Sequence, residues 1–260
     1  MEHLTAHIVP LCLVAFRLSG LFIFAPILAS VVIPGKVKGL LVFMLAGLIY
    51  PTLPLTSIPA VEFDTFTLAF AVVGEVMIGL IIGLLALMPI IAVQLGAGLM
   101  GHEMGFGLAA LYNPALETDS DVLGEMLLNI ALGIFVCLGG FEMLFKAVGT
   151  SFLSIPLAGF SASMVPKDLF VGVMSSGFDL ALRVATPVLA IIGIETIASA
   201  FITKTMPQLN VMSLGFGIKV ILGLIALVAG LSAMSEAMKL HIIEVSDQIM
   251  KWTSGGMIPH

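Results

Sequence analysis

The sequence has 260 residues, of which 60% are hydrophobic and only 10% charged, with a mean hydropathy of +1.20. Soluble domains carry about 45–50% apolar and about 25% charged residues, so a free-standing water-soluble enzyme is excluded and an all-α, membrane-class protein is expected. The net charge of −6, with no basic run, excludes a nucleic-acid partner, which calls for clustered Lys and Arg.

A bilayer-spanning helix needs about 20 mainly apolar residues. The N-terminal MEHLTAHIVP lacks the positive start of a cleaved signal, so the first apolar segment, residues 8–32 with Arg17 inside, is expected to be retained as a helix. A basic turn follows at Pro34-Gly35-Lys36-Val37-Lys38, then a second segment over residues 39–55 containing Pro51 and Pro54. The third run, residues 66–100, would reach roughly 50 Å as a helix, against a hydrocarbon core of about 30 Å. It must tilt, leave the bilayer or break, and Pro89 is the expected break because proline removes a backbone donor and clashes with the preceding turn. Residues 122–145 form a fourth run. Residues 170–202 repeat the over-long pattern with Pro187 inside, and residues 211–231 are the last apolar run. The tail over residues 235–252 is amphipathic and suits a membrane surface or a partner helix. The two Lys of the first turn place that loop on the cytoplasmic side, whereas residues 101–121 carry acids without Lys or Arg and are free to be translocated.

No chemistry of an enzyme stands out. Neither a serine nucleophile motif nor HExxH occurs, Cys12 and Cys137 sit singly in apolar runs, and no catalytic role, metal or other cofactor is expected. The ionisable residues Arg17, Glu75, Asp179, Arg183, Glu195 and Lys204, with Glu142, interrupt or end apolar helices. Such groups are expensive and are either paired or functional. Pairing within the chain or with a neighbouring subunit is the simpler reading. A proton or ion relay is the sharper one, and no cluster of acids or histidines favours it. Asp179 and Arg183, four apart, share a helix face and can neutralise each other. Gly79 and Gly83 form a GxxxG pair, with Gly96, Gly98 and Gly101 downstream, which permits close backbone packing between membrane helices.

Residues 101–107, Gly-His-Glu-Met-Gly-Phe-Gly, break any helix. Leu111-Tyr112-Asn113-Pro114 then signals a turn, and an acidic stretch leads to Ser120 or Asp121 as an N-cap. Such a break is tolerated at membrane depth only where protein or a cavity shelters it. A re-entrant or plugging segment and an ordinary surface loop both remain open on this pattern.

Two stretches carry a resemblance: MGFGLAALYNPALETDSDVLGEML, residues 104–127, and KTMPQLNVMSLGFGIKVILGL, residues 204–224. Together, and in this order, they resemble the FliR/SctT family of type III export-gate proteins, flagellar and virulence-associated. The early Arg, the helix order and the length agree, so the resemblance covers nearly the whole chain. Gly217 stands where many members have Pro, which bears only on local helix geometry.

The resemblance implies a structural and gating subunit of the flagellar export gate. In that picture kinked long helices and helical hairpins pack in a helical hetero-oligomer with FliP-like and FliQ-like subunits, and a FlhB-like protein wraps the cytoplasmic side. Unfolded flagellar proteins are the cargo, and the bacterial inner membrane at the flagellar basal body is the location. The chain 1–260 is then a single subunit, with 1–121 a FliP-like part and 122–260 a FliQ-like part. Gly105, Phe106, Gly107, Leu111, Tyr112, Asn113 and Pro114 are implied to form the pore plug, and Pro207, Gln208, Leu209, Asn210 and Val211 a turn toward the cytoplasmic entrance. The alternative from another class is an ion-coupled secondary transporter using Glu75, Asp179 and Glu195.

Overall fold

A computed structural model of the chain describes residues 2–53, 65–106, 122–161, 164–205 and 211–255. Among these residues there are seven α-helices, one 3-10 turn and no strand. We number the helices α1 (Glu2–Phe24), α2 (Gly35–Ile49), α3 (Thr65–Met104), α4 (Val122–Cys137), α5 (Gly140–Ser154), α6 (Lys167–Thr205) and α7 (Val211–Thr253), with the 3-10 turn at Tyr50–Thr52. Five of the helices are long and apolar enough to cross a membrane, or six spans in all if the α4–α5 pair counts as one.

Several helix boundaries differ from those the sequence pattern predicts. The first helix ends at Phe24, and residues 25–34 continue as turns in which Ile27 has φ 67° and Val31 is almost fully exposed. Hydropathy cannot see that stop, because these turn residues are as apolar as the helix. The expected fracture at Pro89 does not occur, nor does one at Pro187: α3 is continuous over 40 residues and α6 over 39. In membrane-class helices, neighbouring groups re-satisfy what a proline frees.

The fourth run is two helices rather than one, bent by 62° between Cys137 and Gly140. Gly139 adopts φ 75° and its N–H reaches the Val136 carbonyl at 3.0 Å, a left-handed helix stop that glycine accepts without a Cβ penalty. The last run and the amphipathic tail join in α7, a single helix of 43 residues. At 1.5 Å per residue, α3, α6 and α7 each reach about 60 Å, twice the hydrocarbon thickness.

The chain divides into two packed units that both draw on sequence-distant segments. The first comprises residues 1–88, 136–174 and 242–260, and the second residues 89–135 and 175–241. Pro89 therefore marks a change of packing partners rather than a helix end. The core of the first unit draws on Leu13, Leu18 and Leu21 of α1, Ile78 and Ile82 of α3, Val148 and Phe152 of α5, and Ile242 and Ile249 of α7, all buried. The second unit buries Ile90, Val93 and Met100 of α3, Leu127 and Phe135 of α4, Val188 and Ile192 of α6, and Ala226 and Met234 of α7. Buried positions such as Val14, Leu18 and Leu21 of α1 and Ile78, Ile82 and Leu85 of α3 recur at three- and four-residue spacing, the period of one helix face.

Burial is unevenly shared. Of the span in α3, 61% is buried, against 22% in α6, 17% in α7 and 11% in the span that contains α2. The thinly buried helices turn Phe43, Leu48, Val171, Ile194, Phe201 and Val228 outward. Water does not tolerate so much contiguous apolar surface, so lipid or other apolar helices must cover it.

Candidate functional site: a buried charge cluster and a glycine helix stop

The first unit holds its charges at the crossing of α1 and α3. Arg17 lies within the buried stripe of α1, and Glu75 lies one turn before Gly79 on α3. Both side chains have no solvent exposure. The guanidinium Nε donates to Glu75 Oε2 at 2.5 Å. Its Nη1 donates to the Ser151 hydroxyl at 2.9 Å, and its Nη2 to the Ile155 carbonyl at 3.1 Å. The Phe152 ring lies 4.0 Å from the guanidinium carbon, a cation–π contact. Glu75 Oε1 in turn accepts the Ala158 N–H at 2.9 Å.

Glycine makes this approach attainable. Glu75, Gly79 and Gly83 follow one another at four-residue spacing and share a face of α3. A Cβ on Gly79 would overlap the Arg17 carbonyl, and one on Gly83 would sit 2.8 Å from the Leu21 carbonyl oxygen. From the opposite side, a Cβ on Gly20 would overlap the Val76 carbonyl. The GxxxG signal thus corresponds to real backbone contact, and that contact sets the Arg17 and Glu75 side chains side by side. After α5 the chain folds back over the pair: Phe160 covers Gly74, and Ala158 takes φ 61° to aim its N–H at the carboxylate. Desolvating two ions costs several kcal/mol each, and only a geometry that fills their hydrogen-bonding capacity offsets this.

In the second unit, α3 ends in a built stop. Gly105 has φ 89°, its N–H bonds the His102 carbonyl at 3.0 Å, and the Phe106 N–H bonds the Gly101 carbonyl at 3.1 Å. This paired pattern with a left-handed glycine is the Schellman motif. The helix break that the glycines predict therefore falls at Gly105, with Phe106 partly exposed beyond it. Gly107, Leu111, Tyr112, Asn113 and Pro114, the N-cap candidates Ser120 and Asp121, and Pro207, Gln208, Leu209 and Asn210 lie outside the described residues. Val211 opens α7.

The other flagged charges separate into three environments. Asp179 and Arg183 pair at 2.7 Å as their spacing predicts, with side chains 59% and 69% exposed. Lys204 and Glu142 are also exposed, so burial of these four groups requires another molecule. Glu195 is buried at 6% exposure and accepts the Ser199 hydroxyl at 2.5 Å. Among the described residues no three His, Cys, Asp or Glu side chains converge as metal ligands would.

Sequence reasoning flags Arg17 and Glu75 but not that they meet, and it misses Ser151, Phe152 and Ala158 altogether. The one available signal was a hydroxyl at Ser151 on the apolar stripe of Leu144, Ala147 and Val148. The backbone groups of Ile155 and Ala158 leave no trace in residue type.

Comparison with known proteins places the chain. It is 28% identical to Yop proteins translocation protein T of Yersinia pestis over 87% of this chain and 88% of the relative. It is 27% identical to flagellar biosynthetic protein FliR of Escherichia coli over 83% and 81%, and 26% identical to that of Aquifex aeolicus over 90% of both. The model of the family described as bacterial export proteins, family 1, matches residues 8–245. With that match spanning nearly the whole helical chain, the protein belongs to the bacterial export proteins, family 1.

Proposed function

We propose that this chain is a structural and gating subunit of a flagellar type III protein export gate in the bacterial inner membrane. It assembles with FliP-like and FliQ-like subunits, with a FlhB-like protein on the cytoplasmic side, and passes unfolded flagellar proteins. The observation that carries the reading is the family match over residues 8–245, together with relatives named for flagellar biosynthesis and for Yop translocation. The outward apolar faces of α2, α6 and α7 support it, because a subunit interior to an assembly needs such surface. In this reading residues 1–121 form a FliP-like part and residues 122–260 a FliQ-like part.

The role is mechanical rather than catalytic. The Gly-flanked segment from Gly105 to Pro114 fills a narrow apolar pore and withdraws as substrate enters, and residues 207–211 face the cytoplasmic entrance. Ion-coupled transport by Glu75, Asp179 and Glu195 finds no support, since each acid takes a different partner: Arg17, Arg183 and Ser199 respectively.

Co-purification of the tagged chain from native membranes, followed by native mass measurement, tests the assembly, and a tagged chain that brings down no other membrane subunit would refute it. Deleting residues 105–114 tests the plug, with an intact complex that leaks small ions as the expected result. A complex that stays tight removes the plug role. Loss of swimming in a strain lacking the chain tests the flagellar assignment against a virulence system.

A further inference from the structure

Among the described residues of the second unit, Glu195 is a buried acidic side chain with one carboxylate oxygen unpartnered. It lies on the buried stripe of α6 with Val188 and Ile192. Ser199 occupies Oε1, while Oε2 is shut from solvent with no hydrogen-bond partner among the described residues. A carboxylate in apolar surroundings calls for a positive group.

The register of α6 against α7 says which group is in reach. Pro187 of α6 packs on Gly230 of α7, its Cβ 2.9 Å from where a glycine Cβ would stand. Ser199 Oγ lies 4.0 Å from the same point on Gly215. Moving forward along α6 therefore means moving backward along α7, and the two helices are antiparallel. One turn back from Ser199 is Glu195, and one turn forward from Gly215 is Lys219, so both stand at the same level of the hairpin. Lys219 also continues the inward stripe of α7 through Gly223, Ala226 and Gly230, and it is half-buried. No other Lys or Arg occurs on α7 before Lys239. Among the described residues, the other charges near this level point outward: His102 and Glu103 in the last turn of α3, Glu125 on α4 and Lys204 on α6 are all exposed.

We propose that the Lys219 ammonium closes onto the free Glu195 oxygen, forming a buried ion pair that clasps the α6–α7 hairpin. The clasp sits one turn from Gly223, against which Met104 packs, and so beside the end of α3. It repeats the arrangement of the first unit, where an acid and a base on neighbouring helices lie one turn from a glycine contact. The chemistry differs in one respect. Arg17 is a rigid fork held at several atoms, whereas Lys219 is a point charge on a flexible stem that engages and releases without moving its helix.

The test is the thermal midpoint of the full chain, purified in mild detergent, for Lys219→Met, Glu195→Met and the double variant. If the clasp forms, Lys219→Met strands a buried carboxylate and lowers the midpoint by about 5–10 °C, while the double variant returns to within about 2 °C of the parent. If Lys219 has no tie to Glu195, replacing it by Met leaves the midpoint unchanged or raises it, and the proposal is overturned. Should Lys219→Met fail to accumulate, the charge-swapped Glu195→Lys/Lys219→Glu chain decides. Membrane abundance several-fold above either single swap supports the clasp, and abundance no better than the worse single refutes it. Neither readout depends on export.

Discussion

Replacing Glu75 by Gln is the sharpest probe of the charge cluster in the first unit. The shape is kept, but the carboxylate that accepts from Arg17 at 2.5 Å and from Ala158 at 2.9 Å becomes an amide with one acceptor oxygen. That oxygen can serve one donor well. The other is stranded, and the guanidinium stays fully buried with only the Ser151 hydroxyl, the Ile155 carbonyl and the Phe152 ring for compensation. Breaking a buried pair by removing one partner costs about 3–5 kcal/mol, whereas replacing both ions by apolar groups of similar volume is about neutral. For a chain of this size about 1 kcal/mol moves the midpoint by roughly 2–4 °C, so Glu75→Gln is expected to lower it by about 10 °C.

Arg17→Met should fall by a similar amount, and Arg17→Met/Glu75→Met should recover most of the loss. Trp252, the single tryptophan, belongs to the same packed unit, and its fluorescence in mild detergent reports the unfolding. Single variants within about 2 °C of the parent, or a double variant whose loss equals the sum of the two, would refute the reasoning.

Three further outcomes are expected in the same assay. Gly79→Ala drives a methyl into the Arg17 carbonyl and should cost about 3 kcal/mol or more, whereas Gly193→Ala, with open space around it, should be neutral or stabilise by up to about 1 kcal/mol. Ala158→Gly removes the left-handed penalty at φ 61° while keeping the N–H that Glu75 accepts, so the midpoint should hold or rise by a few degrees, and a clear fall would argue against that backbone conformation. Asp179→Ala and Arg183→Ala break an exposed i,i+4 pair worth about 0.5 kcal/mol or less and should leave the isolated chain unchanged. If they nonetheless impair co-purification with other subunits, the exposed face of α6 is an assembly surface.

Much of the class and part of the site were legible in residue type. A chain with 60% hydrophobic residues and few charges must leave water, and its apolar runs are too long for anything but helices. The glycines announced both the stop at Gly105 and the close crossing at Gly79, because conformational freedom and the lack of a Cβ are properties of the residue itself. Arg17 and Glu75 stood out because an ion in an apolar helix is costly wherever it lies. Composition could not pair them. Their meeting across 58 positions depends on three glycines letting α1 and α3 touch, and on a loop whose backbone, not its side chains, completes the cluster.

Helix ends were decided the same way. Hydropathy ran straight through Gly139, where one left-handed residue turns the chain by 62°, and proline chemistry predicted a break at Pro89 where α3 stays whole. Periodicity and charge are local quantities, carried by each residue into any fold. Which partner satisfies a buried group, and whether a proline or a glycine ends a helix, are settled by neighbours that only the tertiary structure supplies.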